Sequence, residues 1–135
     1  MSLKEFIENN DVDKGRLLVD VSVVEAASKE LGVEFGGELV QYILKYGYLA
    51  FEYVELYGMN SRLGLDSNMI KQTKYLHQYY PATASYVAIE NQGEGDYYIV
   101  NSDDRVFGYD TELDRLTDTG LSLFEYILKR FEEAK

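Results

Sequence analysis

Hydrophobic and polar positions alternate most regularly in the second half of the chain, where short apolar runs are separated by turn-forming residues. The runs span residues 85–89, 97–100 and 106–109. Gly93 and Gly95 lie between the first two runs, and Asn101-Ser102-Asp103-Asp104 lies between the last two. Because these residue types tolerate turn dihedrals or bond to their own backbone, both connections are predicted to be tight reversals. The pattern predicts three strands of an antiparallel meander.

Apolar residues recur at helical spacing in five other segments, which end at about residues 8, 31, 46, 79 and 131. The residues suited to cap the first, second and fourth of these helices are Ser2, then Asp20 or Ser22, then Asp66 or Ser67. The residues placed to end the second, third and fourth are Gly32, Gly47 and Pro81. The last helix has the clearest apolar stripe, formed by Leu121, Phe124, Ile127, Leu128 and Phe131.

The remaining segments give weaker signals. Residues 48–57 are rich in aromatic and β-branched types, which favours one strand or two short ones. Residues 9–15 and 59–65 are predicted to be loops, and the acidic residues 110–120 are predicted to form an irregular crossing. The order of elements predicts an α+β fold, a single domain over residues 1–135. Helices, including one at each end of the chain, are expected to pack against a mostly antiparallel sheet.

Charge is the strongest global feature. The chain has 24 acidic and 13 basic residues, a formal net charge of −11, and seven of the eleven excess negative charges lie between residues 90 and 118. Such a surface repels nucleic-acid phosphates and attracts a basic partner, although acidic surfaces also simply keep proteins soluble. The 13 tyrosines suit half-buried strands and protein interfaces alike.

Few residues support catalysis. The chain has no cysteine, which excludes thiol chemistry and disulfides and is compatible with a reducing cytoplasm. The one histidine, His77, is interpreted as a partly buried or surface residue of a helix rather than as a general base. No apolar run approaches the ~20 residues of a membrane span. We therefore expect a cytoplasmic protein that is not an enzyme and does not bind membranes or nucleic acid directly.

Three short motifs imitate known sites without their full patterns. The Asn101–Asp104 turn lacks the alternating spacing and the bidentate glutamate of a calcium loop. Gly93-Glu94-Gly95 lies between strands rather than at the start of a helix, so it does not predict nucleotide binding. Asp103 and Asp104 are adjacent turn residues without a predicted apolar pocket, unlike the paired carboxylates of a glycosidase. The sequence predicts no metal, no cofactor and no catalytic residue.

Several motifs occur in an order that resembles the SUKH superfamily. They are Leu31-Gly32 before a helix that ends in Tyr46-Gly47, a segment ending in Glu55-Leu56-Tyr57-Gly58, the hairpin Gly93-Glu94-Gly95-Asp96, and Val106 with the closing helix. The order extends over about residues 23–131. Where the family has Leu-Pro at a helix start, this chain has Phe35-Gly36, and glycine is less suited to begin a helix.

The resemblance implies an α+β fold with helices against a largely antiparallel sheet. For bacterial members it implies an immunity protein that binds and silences a cognate toxin domain, often a nuclease, whereas fungal relatives are cell-wall regulators. An acidic protein suits the first role, because nuclease domains present basic surfaces. The alternatives are a regulatory or scaffold module of the same fold that binds an endogenous protein, and an enzyme with a tyrosine-lined cleft for a small ligand.

The expected partner is therefore a protein, most simply a basic toxin domain. We predict that the acidic residues and tyrosines of the meander bind it. The predicted partner-binding residues are Glu90, Glu94, Asp96, Asp103, Asp104 and Asp110, with Tyr97 and Tyr109 as aromatic anchors.

Overall fold

The computed structural model of the protein describes residues 1–59 and 64–135. These residues contain five α-helices: α1 (Leu3–Asn9), α2 (Val21–Leu31), α3 (Gly37–Tyr46), α4 (Met69–Tyr79) and α5 (Leu123–Ala134). They also contain seven strands: β1 (Asp13–Lys14), β2 (Leu49–Phe51), β3 (Val54–Glu55), β4 (Val87–Asn91), β5 (Asp96–Val100), β6 (Arg105–Asp110) and β7 (Arg115–Ser122). The fold is α+β, as predicted.

The strands form two antiparallel sheets, a small one in the order β1-β2-β3 and a large one in the order β4-β5-β6-β7. The predicted meander is confirmed as β4 to β6, and residues 48–57 form the two short strands β2 and β3. Two predictions of irregular structure are wrong, because β1 lies within residues 9–15 and β7 occupies much of residues 110–120. The predicted loop over residues 59–65 falls largely on residues 60–63, outside the described part of the chain.

Most helix ends follow their predicted caps. Ser2 and Glu5 form a capping box at the start of α1, Asp20 caps α2, and Gly32 ends α2 in the left-handed conformation. For α4 the predicted cap is wrong, because Asn68 accepts the backbone N–H of Lys71 at 2.9 Å. Ser122 caps α5, so Leu121 lies in β7 rather than in the helix.

Helix α3 takes its N-cap from a distant turn. It begins at Gly37 after Gly36, and Gly36 makes no side-chain cap. The carboxylate of Asp104, in the β5–β6 turn, accepts the backbone N–H groups of Glu38 and Leu39 at 3.0 and 3.1 Å. A Cβ at position 36 would lie 2.4 Å from that carboxylate, so only glycine permits this approach. Gly36, which makes this a weak helix start by sequence, is therefore what allows Asp104 to cap the helix.

Helices contact both faces of the large sheet. Neighbouring residues of a strand point to opposite faces, so Tyr97 and Tyr98 of β5 point in opposite directions. Tyr98 stacks on Tyr126 of α5, with ring centroids 5.2 Å apart. Tyr109, which pairs with Tyr97 across β5 and β6, instead contacts Tyr80 at the end of α4 with ring centroids 5.6 Å apart.

The outer edge of β4 is covered by α4 and by the segment that follows β3. Thr73 of α4 accepts the backbone N–H of Ala88 at 2.9 Å, and the N–H of Tyr57 donates to the carbonyl of Ile89 at 2.8 Å. These bonds satisfy backbone groups that an open edge strand would expose. The Tyr57 bond also joins the small sheet to the large one. The two sheets therefore meet at β4.

A cluster of phenylalanines joins the chain ends to the small sheet. Phe6 of α1, Phe51 of β2 and Phe131 of α5 are buried, with ring centroids 5.1 to 5.7 Å apart. Aromatic packing of this kind stabilises a core beyond the area that it buries. None of the helices in residues 1–59 and 64–135 is long and apolar enough to cross a membrane.

Replacing Asp104 by alanine is expected to destabilise the protein by about 2 kcal/mol, because α3 loses its cap and alanine is strained at the positive φ of this turn residue. Urea denaturation measures the loss. Asp104→Asn, which keeps an acceptor and tolerates positive φ, should lose about half as much.

The matched control is Asp103→Ala, at the exposed neighbouring position. It should change the free energy of unfolding by less than about 0.5 kcal/mol. Equal losses at positions 103 and 104 would contradict the assignment of the cap to Asp104.

Candidate functional site

A cleft of about 560 Å³ opens where the two sheets meet. Its walls come from both sheets, from the segment before α4 and from α5. The residues that form them include Tyr53, Glu55, Tyr57, Asp66, residues 90–93, Tyr97 and Arg130. Tyr53 lies in the β2–β3 hairpin, residues 90–93 lie at the end of β4, and Arg130 lies on α5. We call it the junction cleft, because every wall comes from an element that borders the junction of the sheets.

A buried ion pair forms one wall of the junction cleft. Glu90 is only 3% exposed, and Arg130 donates to its two carboxylate oxygens at 3.0 and 2.7 Å. The hydroxyl of Tyr126 donates to the same carboxylate at 2.6 Å. Hydrogen bonding to Glu90 raises the pKa of Arg130 above its already high ordinary value. Burial raises the pKa of Tyr126, and the charge of Glu90 adds to the shift, so this phenol stays protonated and donates.

The side chain of Glu90 is therefore buried and paired within the protein. Its sequence neighbours suggested an exposed acid at a strand end, but the structure buries it among Tyr126 and Arg130. Tyr109 and Tyr97 were predicted as exposed anchors, and they are 1% and 9% exposed. These accessibilities correct the predicted picture, because a side chain enclosed by its own fold offers little surface to a partner.

The predicted acidic residues lie at opposite ends of the large sheet. Asp103 and Asp104 are in the β5–β6 turn, whereas Glu94, Asp96 and Asp110 are in or beside the β4–β5 and β6–β7 hairpins. The five-residue strand β5 separates the two ends by about 15 Å. A single small docking patch therefore does not include all of them.

The two hairpins themselves are in contact. Thr111 donates its backbone N–H to the carbonyl of Gly95 at 3.1 Å and its hydroxyl to the same oxygen at 3.1 Å. This contact brings together five acidic residues, which we call the hairpin-end surface: Glu94, Asp96, Asp110, Glu112 and Asp114. The basic residue at this end of the hairpins is Arg115, paired in register with Asp110. The local net charge is strongly negative.

The opposite end of the strands has fewer free acids. Asp104 caps α3, and Asp118 forms an ion pair with Arg105 at 2.8 Å. Asp103 is exposed there. The negative charge that the sequence spreads from residue 90 to residue 118 is thus concentrated by the fold at the hairpin-end surface.

Sequence analysis did not predict a row of contacting aromatic side chains beside this surface. We call it the aromatic row: Tyr75, Tyr79, Tyr80 and Tyr109. Tyr75 and Tyr79 of α4 are 42% and 60% exposed, and their ring centroids are 5.2 Å apart. Tyr75 contacts Tyr80, which contacts Tyr109, whose hydroxyl donates to Asp114 of the hairpin-end surface. The available signal was the i, i+4 spacing of Tyr75 and Tyr79, which lie off the buried stripe of Met69, Thr73 and Leu76.

His77 lies on α4, where its Nε2 donates to the backbone carbonyl of Tyr86 at 2.8 Å. It is partly buried, as predicted for a histidine inside a helix. Within the described residues, no group of three or more His, Cys, Asp or Glu side chains is arranged to hold a metal ion.

Replacing Glu90 by glutamine is expected to destabilise the protein by about 3 kcal/mol, because it leaves the largely buried Arg130 without a charged partner. Chemical denaturation measures the change. The double variant Glu90→Gln/Arg130→Met should recover at least about half of the loss, because it removes both charges. A double variant as unstable as the sum of the two single variants would contradict a coupled pair.

A model of a known protein family matches nearly the whole chain. The chain matches the family model SUKH_5, described as SMI1-KNR4 cell-wall, over residues 2–132. A comparison with curated proteins found no match. The matched residues include the junction cleft and the hairpin-end surface, and the match confirms the resemblance that the sequence motifs indicated. This chain belongs to the SMI1-KNR4 family of the SUKH superfamily.

Proposed function

We propose that this protein is a non-catalytic immunity protein that binds and neutralises a cognate bacterial toxin domain with a basic surface. The observation that carries the proposal is the hairpin-end surface, where two hairpins in contact carry five acidic residues and one arginine. SUKH proteins act through protein–protein interaction and are generally non-catalytic. We add that the partner has a basic surface and that it binds at the hairpin-end surface.

Electrostatics favour a basic partner at this surface. Clustered charge of one sign attracts an oppositely charged protein before contact and raises the association rate more than the affinity. A toxin inhibitor benefits from fast association, because it has to reach the toxin before the toxin reaches its target. Nuclease domains carry basic surfaces that bind phosphates, so a nuclease toxin fits the charge of this protein.

The exposed tyrosines of the aromatic row add a contact surface that can carry binding energy beyond the attraction between charges. Tyr75 and Tyr79 are exposed on α4 and connect through Tyr80 and Tyr109 to Asp114. Exposed tyrosines beside a charged patch are typical of residues that carry binding energy at interfaces. We infer that the partner contacts both the hairpin-end surface and this row.

A second candidate function is a regulatory or scaffold module that binds an endogenous protein. The description of the matching family, which refers to the cell wall, favours it. The two functions differ in gene context, because an immunity protein is expected to be encoded next to a large secreted toxin. Absence of such a gene beside this one in every related genome would favour the regulatory module.

The partner is tested by affinity capture of the tagged chain from its native host, followed by measurement of the association rate. Asp96→Lys/Glu112→Lys reverses two exposed charges of the hairpin-end surface and should slow association by about tenfold at low salt. The difference should shrink at high salt, because ions screen the attraction.

The matched control, Asp103→Lys/Glu25→Lys, makes the same change in net charge at exposed positions of the β5–β6 turn and α2. It should slow association much less. If both double variants slow association equally, net charge rather than the hairpin-end surface guides the partner. Capture of only acidic partners would contradict the proposed toxin.

A further inference from the structure

We propose that the junction cleft is a subsite for one cationic side chain, an arginine or a lysine, of the protein partner. The inference deepens the proposed function and rests on it, because the cation is taken to belong to a basic protein. The volume of about 560 Å³ is within the range of ligand-binding clefts and exceeds what bridging waters alone require.

The charges that line the junction cleft select a cation. Glu55 and Asp66 are exposed, and neither forms an ion pair within the described part of the chain. Glu90 is neutralised by Arg130, so Glu55 and Asp66 set the net charge of those walls that the structure describes. A cationic group that enters the cleft is attracted by both carboxylates.

An anion is disfavoured by the same arrangement. Among the described residues of the cleft walls, Arg130 is the cation, and two of its donors are already bonded to Glu90. A phosphate or carboxylate ligand would have to compete with Glu90 for these donors and would approach Glu55 and Asp66 as well. The cleft therefore does not fit a phosphorylated or carboxylate ligand.

The aromatic walls also suit a cation. Of the tyrosines that border the cleft, Tyr53 is 68% exposed, and a guanidinium or ammonium group is attracted to the face of such a ring. The protein already shows this interaction, because the guanidinium of Arg130 lies 5.9 Å from the ring centroid of Tyr53. Burial raises the pKa of Tyr57, with further contributions from Tyr97, Glu90 and Asp66.

The junction cleft is continuous with the hairpin-end surface. Gly93 lines the cleft, and the next residue in the same hairpin, Glu94, belongs to the hairpin-end surface. A partner bound at the hairpins therefore reaches the cleft with a side chain at its border. Burying one cation in a preformed cleft beside a charged surface is typical of an interface hot spot.

The test is an NMR titration of the ¹⁵N-labelled full chain with N-acetyl-arginine amide, a probe that carries only the side-chain charge. Chemical shifts are expected to change at the backbone amides of residues 91–93 and 97, which border the cleft. N-acetyl-citrulline amide, which has a similar shape and no charge, should produce no saturable shift there. N-acetyl-lysine amide should bind at the same amides.

Glu55→Gln/Asp66→Asn removes the two unpaired carboxylates and should weaken binding of the arginine probe by about fivefold. Both side chains are exposed, so the variant is expected to keep its fold, as an unchanged spectrum away from the cleft would show. The control Asp103→Asn/Glu25→Gln removes the same charge at exposed positions away from the cleft and the hairpin-end surface, and it should leave the affinity within about twofold.

Equal shifts with arginine and citrulline probes, or shifts only at the hairpin-end surface, would overturn the cleft as a cation subsite. No shift with either cationic probe would overturn it too. These results are independent of the partner capture, which tests the immunity function. A cleft that binds the probe in a protein whose captured partners are all acidic would retain the subsite and remove the proposed function.

Discussion

The buried ion pair between Glu90 and Arg130 is the interaction on which the candidate site depends. It joins the end of β4 to α5, and its carboxylate also accepts the hydroxyl of Tyr126. A buried carboxylate without partners is strongly unfavourable, so the position of α5 against the sheet is tied to this pairing. The same pair occupies two donors of Arg130 and leaves the described walls of the junction cleft with a net negative charge. One structural interaction thus helps to position the helix and underlies the cation subsite that we propose.

The other end of α5 is fixed by carboxylates as well. The carboxylate of Glu38 in α3 accepts the backbone N–H of Phe124 at 2.8 Å. Asp104 caps α3 with its side chain, and its backbone carbonyl accepts the N–H of Leu123 at 2.9 Å. The acidic composition therefore has two separate roles. Some carboxylates satisfy backbone or buried groups and hold the elements together, whereas Glu94, Asp96 and Glu112 of the hairpin-end surface are exposed to solvent.

Local signals in the sequence were sufficient for the meander, the helices and most caps, because capping and periodicity act over a few residues. The sequence did not reveal β1 and β7, since a two-residue strand and a polar edge strand have no regular alternation. The roles of Asp104 and Glu90 were also hidden. The bond from Glu38 to Asp104 spans 66 positions, and that from Arg130 to Glu90 spans 40. Both acids therefore looked like exposed charges, and the junction cleft, built from separate segments, had no sequence signature.

The most direct test of the account is hydrogen exchange of the chain alone and saturated with its captured partner. The central claim is that the hairpin-end surface and the junction cleft together bind a basic protein. It predicts slower exchange on binding at the backbone amides of residues 92–97 and 110–115, with residues 101–104 unchanged. Protection confined to residues 101–104, or to elements away from both hairpins, would contradict the claim.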